Sequence, residues 1–95
     1  MRSIEEEKEA AQKFTAMTGA AIKAAAAFDG KSIKQLSRET GVEYVTLGRY
    51  LNGKRDIPLS VIYRCCSHLS ISMPGLFTDV YARMGWIKTE FHPHP

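Results

Sequence analysis

Ninety-five residues, 44% apolar and 24% charged, suffice for one small globular domain, which buries about 60–70% of the surface its unfolded chain exposes. No apolar run is long enough to span a bilayer, and the charged opening MRSIEEEKEA lacks the apolar stretch of a secretory signal. A net charge of +3 and a pI near 9.0 are only mildly basic, so charge alone does not mark a polyanion-binding protein.

Ser3 followed by Glu6 is a capping-box signature, and the acidic cluster around it favours a helix start. A long first helix is expected from about Ile4 to Phe28. Its apolar or small residues are Ala11, Phe14, Met17, Ala21, Ile22, Ala25 and Phe28, spaced mostly by three or four. Gly19 is expected either to kink this helix or to divide it into an extension and a shorter helix beginning near Thr18. Asp29-Gly30 ends it, glycine supplying a left-handed cap.

Ser32 caps a second helix to about Thr40, turning Ile33, Leu36 and Ser37 inward. A third follows from about Tyr44 to Leu51, burying Leu47 together with Leu51 or Tyr50, and Asn52-Gly53 stops it. Pro58 and Ser60 announce a fourth, with Val61, Ile62, Cys65, Cys66 and Leu69 facing the core. Ser72 and Pro74 open a fifth, which carries Leu76, Phe77, Val80, Tyr81 and Met84 and ends at Gly85. The tail from Trp86 to Pro95, short and proline-punctuated, is expected to be loosely ordered. No strand signal or internal repeat emerges; the expected class is all-α with five helices.

The run from Ser32 to Arg55 has the spacing of a helix-turn-helix, which lays its second helix in the major groove of DNA. Ser37 is small where the two helices approach, Gly41 supplies positive φ for the turn, Val42 plugs the core, and Leu47 anchors the second helix. Charge follows the same segment. Residues 31–64 hold seven basic against three acidic residues, a net +4, while residues 1–30 sum to −1 and residues 65–95 balance.

On Leu36-Ser37, Gly41-Val42, Leu47-Gly48, Asn52-Gly53-Lys54, Pro58, Leu69, Ile71-Ser72 and Leu76-Phe77, the chain resembles the lambda repressor and Cro-like helix-turn-helix family of phage and bacterial regulators. The resemblance covers roughly residues 20–80 and implies a lambda-repressor-like domain over 19–85. It leaves 1–18 as a helical extension and 86–95 as a tail. It also implies that the third helix reads base edges with Tyr44, Val45, Thr46 and Arg49. Arg49 is the candidate for a bidentate guanine contact, Val45 for a thymine methyl, Thr46 for a thymine methyl or a hydrogen bond accepted and donated, and Tyr44 for a base or a phosphate. Arg55 would reach a base edge or the backbone. Phosphate contacts would come from Lys31, Ser32, Lys34, Asn52 and Lys54.

Three departures from the family stand out. Ile33 and Tyr44 replace glutamines that many members carry at the second position of helix two and the start of helix three. Ala26 and Leu51 stand where many bury an arginine–glutamate pair, so an apolar contact is expected there. Glu43 replaces a small polar cap; it either caps the third helix or accepts from cytosine, and the cap is the preferred reading.

Cys65-Cys66 with His68 lacks the ligand count and spacing of a structural zinc site, so the cysteines read as core thiols. They also suit a reducing cytoplasm, bacterial or that of a phage-infected host. No metal site, cofactor motif or catalytic constellation is expected. The function read from this sequence is a sequence-specific double-stranded DNA-binding transcriptional regulator, a phage repressor or Cro-like switch protein acting by operator occupancy. The alternative is an antitoxin or adaptor of the same fold whose main partner is a protein. A homodimer would use helix five, the tail or the N-terminal helix.

Overall fold

Local caps and apolar spacing place five helices along the chain in a computed structural model that describes residues 3–85. These are α1 Ile4–Phe28, α2 Ile33–Thr40, α3 Tyr44–Leu51, α4 Leu59–Leu69 and α5 Met73–Arg83, with no strand among the described residues. What is expected of the tail from Trp86 to Pro95, its loose order and its use in a homodimer, lies outside the described residues.

The caps form as the sequence predicts. Ser3 Oγ accepts from the Glu6 N–H at 3.1 Å, and Glu6 Oε1 accepts from the Ser3 N–H at 2.8 Å, a reciprocal capping box. Ser32 and Ser72 cap α2 and α5 by accepting from the Gln35 and Gly75 amides. At the far end of α1, Gly30 adopts φ 74° while the Lys31 N–H donates to the Ala26 carbonyl at 2.8 Å. The same closure ends α3, where Gly53 has φ 75° and the Lys54 N–H donates to the Arg49 carbonyl at 2.8 Å.

Gly19 does not divide α1, which runs unbroken for 25 residues. The missing side chain serves a close approach instead. A Cβ at Gly19 would strike the Tyr50 carbonyl oxygen and lie 3.1 Å from the Leu51 Cα. One interior glycine weakens a helix by only about 1 kcal/mol, and the buried neighbours Thr18 and Ile22 hold α1 in place on either side.

The core gathers Ile22 and Ala26 of α1, Leu36 of α2, Leu47 and Leu51 of α3, and Leu76 and Val80 of α5 around α4. All five α4 residues assigned inward are buried, and Ile57 joins them from the α3–α4 loop. Ala26 and Leu51 both sit in this apolar cluster, so no ion pair occupies those positions. Phe14 extends the core along α5, 5.8 Å from Phe77 and edge-on to Tyr81 at 5.5 Å.

Two members of the expected α1 stripe are not inside. Ala11 precedes the first packed turn and is exposed, and Phe28 is 94% exposed. Phe28 ends α1 and, though exposed, lines a groove with Ala21, Ala24, Ala25, Ile71 and Leu76. α1 packs on α3, α4 and α5, and α2 packs on α3 and α4, so the helix pair α2–α3 is backed from two sides.

Candidate nucleic-acid interface

The turn between α2 and α3 is tied by short-range bonds. Gly41 takes φ 78°, and its N–H donates to the Ser37 carbonyl at 2.9 Å. The Ser37 hydroxyl donates across the turn to the Val42 carbonyl, so this residue is both small enough for the approach and bonded within it. Thr40, buried, donates to the Leu36 carbonyl at 2.8 Å and accepts from the Val42 N–H at 3.3 Å. From α4, Arg64 adds a longer bond of 3.4 Å to the Thr40 carbonyl. The angle between α2 and α3 is thereby fixed by the turn's own groups.

Glu43 caps α3. Its carboxylate accepts from the Val45 N–H at 3.0 Å, the Thr46 N–H at 2.9 Å and the Thr46 hydroxyl at 2.7 Å. The Thr46 hydroxyl and then the two backbone donors hold the Glu43 carboxyl below the usual carboxylate range. This anion covers the first turn of α3, so that helix end is not offered to phosphate. The N-terminus of α2 is different: Ser32 satisfies only the Gln35 amide and leaves the rest of the first turn open.

Beyond the cap, Tyr44, Val45, Gly48, Arg49 and Asn52 share one face of α3 and, with Ile33 of α2 and Lys54, line a single open groove. Tyr44 and Val45 are 50% and 52% exposed, an apolar outlay on a surface that folding does not require. At Gly48 an added Cβ would meet nothing within 4 Å, so packing does not demand glycine there. Lys34, Arg49, Lys54 and Arg55 are exposed and form no ion pair among the described residues.

The groove thus unites Tyr44, Val45, Arg49, Asn52 and Lys54 of the expected contact set. Thr46 lies half-buried beside it with its hydroxyl committed to Glu43, while Ser32, Lys34 and Arg55 stand exposed outside its lining. Lys31 departs from the others. Its ammonium bonds Glu39 at 2.8 Å and the His68 carbonyl at 3.0 Å, with Asp29 at 3.9 Å. The Lys31 bond, followed by one from Gln35, keeps the Glu39 carboxyl below its ordinary range. Lys31 therefore ties the α1–α2 loop to α4.

Residues 22–76, more than half of the chain, match the family model for the Cro/C1-type helix-turn-helix. The chain belongs to this helix-turn-helix family. It therefore carries the domain of DNA-binding transcription regulators. Neither the curated proteins nor the solved structures include a match. The matched segment runs from the middle of α1 to the first turn of α5, leaving Ile4–Ala21 outside it.

Two residues of this helix-turn-helix surface were not anticipated. Gly48 falls on the reading face by simple i, i+4 arithmetic from Tyr44 and toward Asn52, a signal available in the sequence. Lys23 of α1 reaches Asn52 Oδ1 at 2.7 Å, across 29 positions, and nothing local announces that pairing. Among the described residues no group of three or more His, Cys, Asp or Glu side chains could hold a metal ion.

Proposed function

We propose that the chain is a sequence-specific double-stranded DNA-binding transcriptional regulator, of the phage repressor or Cro-like switch kind, acting by occupying an operator. The observation that carries this reading is the α3 groove, in which Arg49, Asn52 and Lys54 stand beside the exposed apolar groups of Tyr44 and Val45. Arg49 and Tyr44 would address base edges, with Val45 and the Thr46 methyl against thymine. Lys34, Lys54, Asn52, Arg55 and the open α2 N-terminus at Ser32 would hold the backbone. Within this proposal residues 1–18 are a helical extension anchored by Phe14 and Met17, residues 19–85 are the DNA-binding unit, and 86–95 are a tail. Among the described residues no helix is long and apolar enough to cross a membrane, which is compatible with action in the cytoplasm.

A single module of this size buries only about 600–1,000 Å² on DNA, so useful affinity calls for two copies on half-sites about 34 Å apart. Such a homodimer would use the surface of α5 and α1 or the tail.

Selection of duplexes from a random library, followed by titration at several salt concentrations, tests the reading. An enriched motif, affinity falling steeply with salt, and specific binding by Arg49→Ala weaker by about five- to 150-fold are expected, since each lost bidentate contact is worth about 1–3 kcal/mol. No enrichment and flat salt dependence would sink it. A second reading, an antitoxin or adaptor held by a protein partner, is favoured by one observation: Phe28, 94% exposed, stands beside an apolar groove. A protein co-purifying in fixed stoichiometry would favour that reading.

A further inference from the structure

Asn52 stands at the C-terminal end of α3, on the lining of the groove, and its side-chain oxygen accepts a 2.7 Å hydrogen bond from the Lys23 ammonium. A lysine ammonium has three donors and no acceptor, so this bond decides which branch of the carboxamide turns toward α1. The NH2 branch is left as a donor, and no described residue accepts from it. An exposed asparagine without such a partner exchanges its oxygen and nitrogen between the two directions, and half of those orientations present a repelling oxygen to a phosphate.

The partner is delivered by a tight register between α1 and the end of α3. Gly19 allows α1 to touch the Tyr50 and Leu51 backbone. A Cβ at Gly53 would come 3.2 Å from the Ala16 Cβ, and the Thr15 hydroxyl donates to Asp56 at 3.0 Å. Lys23 lies one helical turn beyond Gly19 on α1. Among the described residues it forms no ion pair, and its ammonium bonds Asn52.

We propose that Lys23 is a positioning residue of the nucleic-acid interface: it orients the Asn52 carboxamide so that the amide NH2 donates to a DNA backbone phosphate beside Arg49 and Lys54. The proposal rests on the DNA reading above and extends the interface to α1, outside the two helices of the motif. It has a distinctive salt signature. A neutral amide binds phosphate without displacing a counterion, whereas a lysine in direct contact displaces about one.

The test compares wild type, Lys23→Met, Lys23→Arg, Asn52→Ala and the Lys23→Met/Asn52→Ala double variant. Each is titrated at several salt concentrations with the duplex enriched by selection and with a scrambled duplex of equal length. Lys23→Met and Asn52→Ala should each weaken binding about three- to tenfold, on both duplexes, with the slope of log affinity against log salt unchanged. The double variant should bind no more weakly than Asn52→Ala, and Lys23→Arg should restore affinity because a guanidinium also donates to Oδ1. Melting temperatures should stay level, since an exposed pair adds little stability. Additive losses, a slope reduced by about 0.9 in Lys23→Met, or no loss in that variant would each overturn the positioning role. Failure of the wild type to select or to respond to salt would instead bring down the DNA reading itself.

Discussion

A threonine on a reading helix ordinarily offers a methyl, one donor and two lone pairs, but at Thr46 the donor is committed to Glu43 at 2.7 Å. What remains is the methyl, proposed above to meet a thymine, and the acceptor lone pairs of the hydroxyl oxygen. Thr46→Val, which keeps the branched shape and drops the hydroxyl, should therefore retain target preference. Thr46→Ser, which keeps the hydroxyl and drops the methyl, should lose about 1 kcal/mol or more of discrimination at one base pair. Competition titrations with single-substituted duplexes check this, and the opposite ranking would show that the hydroxyl does the reading.

Glu43 itself links acidity to the start of α3. Folding lowers the pKa of its carboxyl, so the folded state holds that proton less tightly than the unfolded chain, whose value is near 4.5. Its contribution to stability is therefore complete above the ordinary carboxylate range and fades as pH falls through the depressed value. Between pH 7 and 3, wild type should lose more stability than Glu43→Gln, which retains an acceptor but not the titration. Parallel denaturant midpoints at the two pH values would settle the comparison.

At the scale of elements, the contact of α1 with α3 depends on a glycine that looks dispensable from sequence. Alanine is the better helix former by about 1 kcal/mol. At Gly19 the obstacle is the Tyr50 carbonyl, a backbone group that cannot rotate away. Gly19→Ala should consequently destabilise the domain by about 1–3 kcal/mol, read from the urea midpoint, as α1 and the reading helix are pushed apart. A neutral or stabilising result would mean that α1 shifts at no cost.

Gly19 also shows where sequence reading stops. The caps at Ser3, Ser32 and Ser72 and the turn at Gly41 were legible because each bond joins residues at most five positions apart. The inward faces of α4 and α3 were legible from period alone. The role of Gly19 and the bond from Lys23 to Asn52 were not, because their partners lie on another helix and a single sequence does not say which helices meet. Periodicity places Phe28 on the apolar stripe of α1, yet it stands 94% exposed, because period gives the side of a helix and not whether a neighbour covers that level. Nor does sequence show that Lys31, expected at a phosphate, bonds Glu39 and the His68 carbonyl, because these acceptors come together only in three dimensions.

For the molecule as a whole, one apolar cluster joins all five helices, so the domain should unfold in a single transition. The two cysteines report on that transition. Both are buried, and burial followed by the neighbouring Cys66 pushes the Cys65 thiol up to about 11. Since the thiolate is the reacting form, a disulfide reagent at pH 8 should modify the folded protein slowly and the urea-unfolded protein at once. Labelling should track the circular-dichroism transition. Rapid labelling under native conditions would show that α4 opens on its own.

The separation of the α3 face from this cluster has a consequence for how the protein could change over evolutionary time. Tyr44, Val45 and Arg49 are exposed, and a side chain at Gly48 would meet no neighbour. Leu47 and Leu51, on the opposite side of the same two turns, do the anchoring. With α3 reading DNA as proposed, a substitution at any of these four positions would alter what the helix recognises at little cost to the folded state. New specificities are thus reachable by single steps through a lineage of folded intermediates, and a library randomised at those positions should yield mostly folded members with divergent targets.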